Sequence, residues 1–139
     1  MGREGGDFVS IVINVISNRS SWIASDGLQR DTATGRVVNT DLQKFEVLNT
    51  HLCIGYTGCY EHARKVVDYL KLECPNIEIA TSDLAARYTK ALVDEAVRQF
   101  SGFNAQFVVT GTLSNHQIAS FAIKRERAIE SFSCAPGKY

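Results

Sequence analysis

No CxxC pair occurs in this chain, and no cysteine is spaced against a histidine as a metal ligand would be. Its four cysteines are Cys53, Cys59, Cys74 and Cys134. That absence argues against a zinc site and leaves the cysteines as small buried hydrophobes of a reducing compartment. Charge of one sign is lacking too: fifteen basic residues balance fifteen acidic ones. A neutral balance gives no electrostatic footprint for nucleic acid or an anionic membrane, so neither partner is expected. No apolar run approaches the roughly 20 residues of a membrane span. The first residues, MGREGGDF, hold no apolar stretch ahead of a small-residue cleavage site and do not read as a secretory signal. Gly6 stands where a myristoylation motif needs Ser or Thr. A cytoplasmic protein is the expectation. Prolines are few, Pro75 and Pro136 only, and there is no repeat, low-complexity tract or charged linker. What remains is a chain of 139 residues with 45% hydrophobic and 22% charged residues, an ordinary globular composition. That length suits one domain, residues 1–139, which buries roughly 68–70% of its unfolded surface.

The segments alternate in character. Phe8 to Ile16 (FVSIVINVI) is rich in β-branched residues and reads as a strand. Ser17 to Ser20 is a polar turn and Ser21 to Ser25 a second strand, so the two form a hairpin. Asp26 to Asp41, with Gly27 and Gly35, reads as a loop. Leu42 to Leu48 and Leu52 to Thr57 read as strands around an Asn49-Thr50 turn. From Tyr60 to Leu72 the period changes, and Ala63, Val66, Val67 and Leu70 recur at helical spacing. Cys74-Pro75 ends that helix. Ser82 serves as the N-cap of a second helix. It runs to about Phe100 with Leu84, Tyr88, Leu92 and Val93 on one stripe, and Ser101-Gly102 closes it. Gln106 to Thr112, Gln117 to Ile123 and Ala128 to Ser133 complete the strands. Runs of strands, then helices, then strands fit an α+β fold of antiparallel sheets with helices packed on one face, not a doubly wound parallel sheet.

Four positions carry the chemical question. Asp26, in WIASDGLQRD, ends the second strand with Gly27 behind it. Asp-Gly is a common turn dipeptide, and a turn alone accounts for it unless other positions join it. Lys44 heads the third strand, either as a solvated edge residue or as a lysine beside Asp26 that tunes a nucleophile. Gly58 ends the fourth strand ahead of a helix. It is either a corner that needs no Cβ or a backbone N–H aimed at a developing oxyanion. Ser10 is a tolerated small residue or, with the chain cut before it, a hydroxyl beside a free α-amine with an unperturbed pKa near 8. Cys59 and His62, in GCYEH, share a helix start and form a conceivable nucleophile–base pair; a buried cysteine and a surface histidine explain them more simply. His51 and His116 fall at turns and read as solvated.

The strings SIVINVISNRSSWIASDGLQRD and LQKFEVLNTHLCIGYTGCYEHARKVVDYL resemble the N-terminal half of a proteasome β-type subunit, and still more the peptidase of the bacterial ATP-dependent proteasome homologue. Both belong to the N-terminal nucleophile hydrolase superfamily. The ordered set is Ala24-Ser25-Asp26, then Lys44, then Gly58-Cys59, and it covers about Val9 to Ser133. The resemblance implies an αββα sandwich, an N-terminal extension over residues 1–8, and C-terminal helices and strands missing from this chain. It implies that Asp26 holds Lys44, that Lys44 keeps a nucleophile reactive, and that Gly58 offers its N–H to the oxyanion. The family's nucleophile is a threonine after a glycine, and no Gly-Thr lies near residue 10. Counting back from Asp26 reaches Ser10; aligning the Ile-Val pair reaches Val9. Pro136 or Gly137 stands where the family carries a serine. The implied activity is a threonine- or serine-type peptidase or amide hydrolase, in a homo-oligomer, acting on a peptide substrate without a cofactor or metal. The alternative is a catalytically inactive subunit that acts as scaffold or binding module.

Overall fold

The computed structural model describes residues 11–31, 33–73, 81–114, 116–124 and 129–134. Strands β1 (Val12–Ile16) and β2 (Ser21–Ser25) form an antiparallel hairpin in which Val15 lies opposite Trp22. Side chains alternate across a strand, and here that separates two faces. Val12, Asn14, Ile16, Ser21, Ile23 and Ser25 turn inward, whereas Ile13, Val15, Trp22 and Ala24 face out. Strands β3 (Gln29–Arg30) and β4 (Val37–Asn39) make a small ribbon inside the segment expected to be a loop. Its turn is held by Asp31, whose Oδ1 accepts the N–H groups of Ala33 at 2.8 Å and Thr34 at 3.0 Å.

The main sheet is antiparallel. It orders β5 (Phe45–Val47), β6 (Leu52–Gly58), β7 (Ala105–Thr112), β8 (Ile118–Ile123) and β9 (Ile129–Cys134). Both helices, α1 (Tyr60–Glu73) and α2 (Ser82–Val97), intervene between the neighbouring strands β6 and β7. Helix α1 packs on β6 and β7, and α2 on β8 and β9. Ile54 and Tyr56 of β6 join Ala63, Val66, Val67 and Leu70 of α1 in the core. Gly55, between them, points to the opposite face, where a Cβ would lie 2.6 Å from Ile23 Cδ1 and 2.8 Å from Val12 Cγ1. The hairpin therefore lies on the face away from the helices, and glycine lets it approach. The layers are hairpin, sheet and helix pair. With both faces covered, β6 and β8 are buried along most of their length.

Two polar contacts cross the β layers. The Ser21 hydroxyl bonds that of Thr110, and the Ser120 hydroxyl donates to Asn14 Oδ1. Thr110 and Ser120 are buried, so each needs such a partner.

The α+β architecture with antiparallel sheets and helices on one face is the one expected. Several boundaries differ. Strand β1 begins at Val12, and Phe8 to Ser10 lie outside the described residues. The strand expected over Leu42 to Leu48 shrinks to Phe45–Val47: at one end Leu42 N–H turns away from β6 to Gly27 O at 3.0 Å, and at the other Leu48 and Asn49 N–H both go to Leu52 O in the turn. The N-cap of α2 is Thr81 rather than Ser82. Its hydroxyl oxygen accepts the Leu84 N–H at 3.2 Å, the geometry of a capping side chain. The Cys74-Pro75 helix end, the residue 1–8 extension and Pro136-Gly137 lie outside the described residues.

Leu70 is fully buried under the sheet, whereas Leu72 on the same helix is 78% exposed. Leu70→Ala is expected to cost about 2–5 kcal/mol, and Leu72→Ala no more than about 0.5 kcal/mol. Urea unfolding of the pair checks which face of α1 is inside.

Candidate functional site

Asp26 follows β2 directly, where the strand leaves the hairpin. It closes the open end of that hairpin by a reciprocal pairing. Its backbone N–H donates to Ile11 O at 3.1 Å, and its Oδ2 accepts the Ile11 N–H at 2.6 Å. Oδ1 accepts the Leu28 N–H at 3.1 Å, which shapes the Asp-Gly turn. The same Oδ1 receives the ammonium of Lys44. The turn reading of Asp26 and the ion-pair reading are thus both realised, on one carboxylate.

Lys44 immediately precedes β5. Its carbonyl accepts the Tyr56 N–H at 3.0 Å, and Tyr56 OH donates to Gln43 O at 3.1 Å. These bonds fix the backbone, and the side chain runs between the two β layers with only 8% of its surface exposed. It is not the solvated edge residue of the simpler reading. An ammonium so placed is costly unless a carboxylate meets it. The carboxyl responds in turn. Burial raises the Asp26 pKa, but the Lys44 hydrogen bond, the Ile11 and Leu28 N–H groups and the Lys44 charge outweigh it, and the net shift is downward.

Gly58 lies at the same end of the sheet. In the antiparallel pairing Lys44 sits beside Tyr56, and Gly58 is two positions further along β6, about 7 Å at strand rise. Its φ of +101° suits glycine, and a Cβ there would lie 2.7 Å from Asn104 O. The structure therefore brings Asp26 and Lys44 into contact and sets Gly58 at their end of the sheet. Ser10 lies outside the described residues; it directly precedes Ile11, whose N–H is held by Asp26.

Cys59 and His62 do not form the nucleophile–base pair that their spacing allows. His62 Nδ1 accepts the Asn104 N–H at 3.1 Å, and the ring packs against Phe100 and Phe103. The surface-histidine reading fails as well, since His62 is half-buried. Cys53 and Cys59 are free thiols, half-buried rather than buried. Burial pushes the Cys53 thiol up, so it is a poor nucleophile. His51 and His116 are exposed. No group of three or more His, Cys, Asp or Glu side chains suited to a metal occurs among the described residues. No helix among them is long and apolar enough to cross a membrane.

Sequence reasoning missed the support of β5. Glu46 accepts a bidentate fork from Arg64 of α1, at 2.7 and 2.9 Å, and Lys71 approaches at 3.2 Å. These donors hold the Glu46 carboxyl below its ordinary pKa against the effect of burial. It missed Asn104 too, which acts through its backbone. Residue identity gives no signal for either.

Solved structures share this fold. An Anbu (ancestral beta-subunit) chain from Yersinia bercovieri matches with a TM-score of 0.72 and 16% identity, over 92% of this chain and 61% of that one. The fold is that of Anbu. A glycine-1 mutant of Anbu from Hyphomicrobium sp. strain MC1 matches with a TM-score of 0.71 and 18% identity, over 94% and 63%. The Anbu complex from Pseudomonas aeruginosa, solved as a helical assembly, matches with a TM-score of 0.67 and 14% identity, over 81% and 52%. The chain thus spans between 52% and 63% of the length of these neighbours. No family model and no curated protein matches the sequence. The resemblance to the N-terminal nucleophile hydrolase superfamily, through proteasome β-subunits or the peptidase of the ATP-dependent homologue, is corrected by these findings. The structural neighbours are Anbu chains, proteasome-like but distinct from both.

Removing Asp26 strands a buried cation. Asp26→Ala is expected to cost roughly 3 kcal/mol, and the double variant Asp26→Asn/Lys44→Met to recover most of it. The pH dependence has a definite sign. The folded carboxyl titrates below the unfolded value of 3.8, so its contribution is fully present above that pH and is lost as pH falls through the folded pKa. Urea midpoints of wild type and Asp26→Asn should stay fully separated well above pH 3.8 and draw together as pH falls below it, through the folded pKa.

Proposed function

We propose that this chain is a proteasome-like subunit that assembles with copies of itself and hydrolyses amide bonds in extended peptides. One observation carries the reading: a single carboxylate, Asp26, holds both the buried Lys44 ammonium and the backbone N–H of the residue that follows Ser10.

In this reading Ser10 supplies the attacking hydroxyl. The Lys44 charge, fixed by Asp26, favours the alkoxide over the alcohol, as a nearby cation favours any developing anion. Exposure of the Ser10 α-amine by chain cleavage would place a base beside that hydroxyl. Attack on a peptide carbonyl puts negative charge on its oxygen. The Gly58 N–H, at the positive end of α1, is the donor assigned to it. The peptide lies along the segment after Asp26 and the Gly58 corner. No step calls for a cofactor. The helical assembly of the Pseudomonas aeruginosa neighbour supports self-association.

A panel of fluorogenic peptides and acyl-amides, given to the purified protein, tests the reading. Wild type is expected to turn over at least one. Lys44→Met is expected to lower kcat roughly 10²–10⁴-fold, the usual scale of proton-transfer assistance, with its unfolding transition retained. A folded protein that hydrolyses none of the panel overturns the reading and leaves a scaffold subunit.

A further inference from the structure

The corner that presents Gly58 is not held by its own strand alone. Gly58 ends β6 with a positive φ, and the chain turns into α1 within two residues. Such a corner drifts unless something outside it fixes the peptide planes. Here the fixing element is Asn104, just before β7. Its carbonyl accepts the Cys59 N–H at 2.7 Å, and its own N–H donates to His62 Nδ1 at 3.1 Å. Asn104 is 7% exposed, and its side-chain Oδ1 has no hydrogen-bond partner among the described residues. A buried amide oxygen without a partner is an uncommon and costly feature. Of the two residues that Asn104 bonds, Cys59 immediately precedes α1 and His62 lies in its first turn.

The geometry points to His62 as a positioning residue: its Nδ1 lone pair holds Asn104, and the Asn104 carbonyl, by holding the Cys59 N–H, fixes the corner and with it the direction of the Gly58 N–H, one peptide earlier, that meets the oxyanion. The catalytic consequence rests on the function proposed above; the clasp itself does not. Accepting from Asn104 fixes the tautomer, because Nδ1 must be bare and the ring proton must sit on Nε2. The ring cannot swing away. Phe103 stacks on it with centroids 5.5 Å apart and planes 16° from parallel, and Phe100 tilts against it at 4.7 Å. Phe103 in turn stacks on Phe107 of β7 at 6.3 Å. Lys65 Nζ covers Phe100 at 5.6 Å from its ring centroid, so an aromatic stack braces the imidazole. A phenylalanine at position 62 keeps that packing and removes the acceptor. An asparagine puts Oδ1 close to where Nδ1 stands and keeps it.

Amide hydrogen exchange at Asn104 and Cys59, followed by NMR at neutral pH, separates the two roles of the ring. His62→Phe is expected to speed exchange at both amides roughly tenfold, the scale of one lost hydrogen bond. His62→Asn is expected to return both toward wild type. Unchanged Cys59 exchange in His62→Phe would overturn the proposal, since the ring would then serve packing alone. Wild type decides the matter where that variant does not fold. Its imidazole ¹⁵N spectrum should show Nδ1 bare, Nε2 protonated, and a through-bond coupling from Nδ1 to the Asn104 nitrogen; a protonated Nδ1 overturns the clasp. With an amide substrate, His62→Phe should lower kcat with KM little changed and His62→Asn should restore it. Absence of hydrolysis by wild type refutes the proposed function and leaves the exchange result standing.

Discussion

The Lys44 ammonium lies at the seam between the hairpin and the main sheet, and a cation so placed must be met by a counter-charge within hydrogen-bond reach. Asp26 meets it from the other layer. That one contact ties the exit of β2 to the entry of β5, and the reciprocal Ile11–Asp26 bonds extend the tie to the entry of β1. The ion pair is thus a joint where three chain segments meet at one end of the sandwich. Its polarity sets what the site can do. A carboxylate fully engaged by three donors is a weak base, so in the proposed hydrolysis proton abstraction is assigned to another group and the lysine charge to the active role.

The rest of the architecture keeps that joint still. Two helices inserted between neighbouring strands bring Gly58, at the end of β6, against Asn104, at the head of β7. Helix α1 begins at this junction and then reaches back over the sheet to grip β5 through Arg64 and Glu46. Lys44 heads that same strand. The cation and the Gly58 corner are therefore referred to one rigid element, α1, from its first turn to its middle. Burial of both sheet faces stiffens the frame further, because β6 and β8 have almost no exposed side chains.

Much of this was legible in the residues. The spacing of Ala63, Val66, Val67 and Leu70 marked α1 and its inner face, since a helix buries a stripe. The β-branched runs marked the hairpin, and WIASDG marked where it ends. Asp26, Lys44 and Gly58 were readable only as an ordered set, because each has an ordinary explanation alone. The ribbon of β3 and β4 was not readable, as strands of two and three residues leave no period. Thr81 displaced Ser82 because both are good caps and only geometry chooses between them. Asn104 was invisible because its work is done by peptide groups that every residue carries. The family resemblance pointed to the proteasome-like fold and to the wrong branch of it. At 14–18% identity to Anbu chains, short motifs placed by the fold do not separate its families.

The outer face of the hairpin, where Trp22 is 70% exposed beside Val15, carries no helix among the described residues. This chain covers between 52% and 63% of the neighbours' length. The central claim concerns the other face, where the ion pair lies. Covalent trapping tests it most directly. The folded protein is treated with an acyl-transferring electrophilic peptide, and intact mass and peptide mapping follow. The account expects one adduct per chain, on the segment that contains Ser10, absent from Lys44→Met. An adduct on Cys59, or none on a folded wild type, would contradict it.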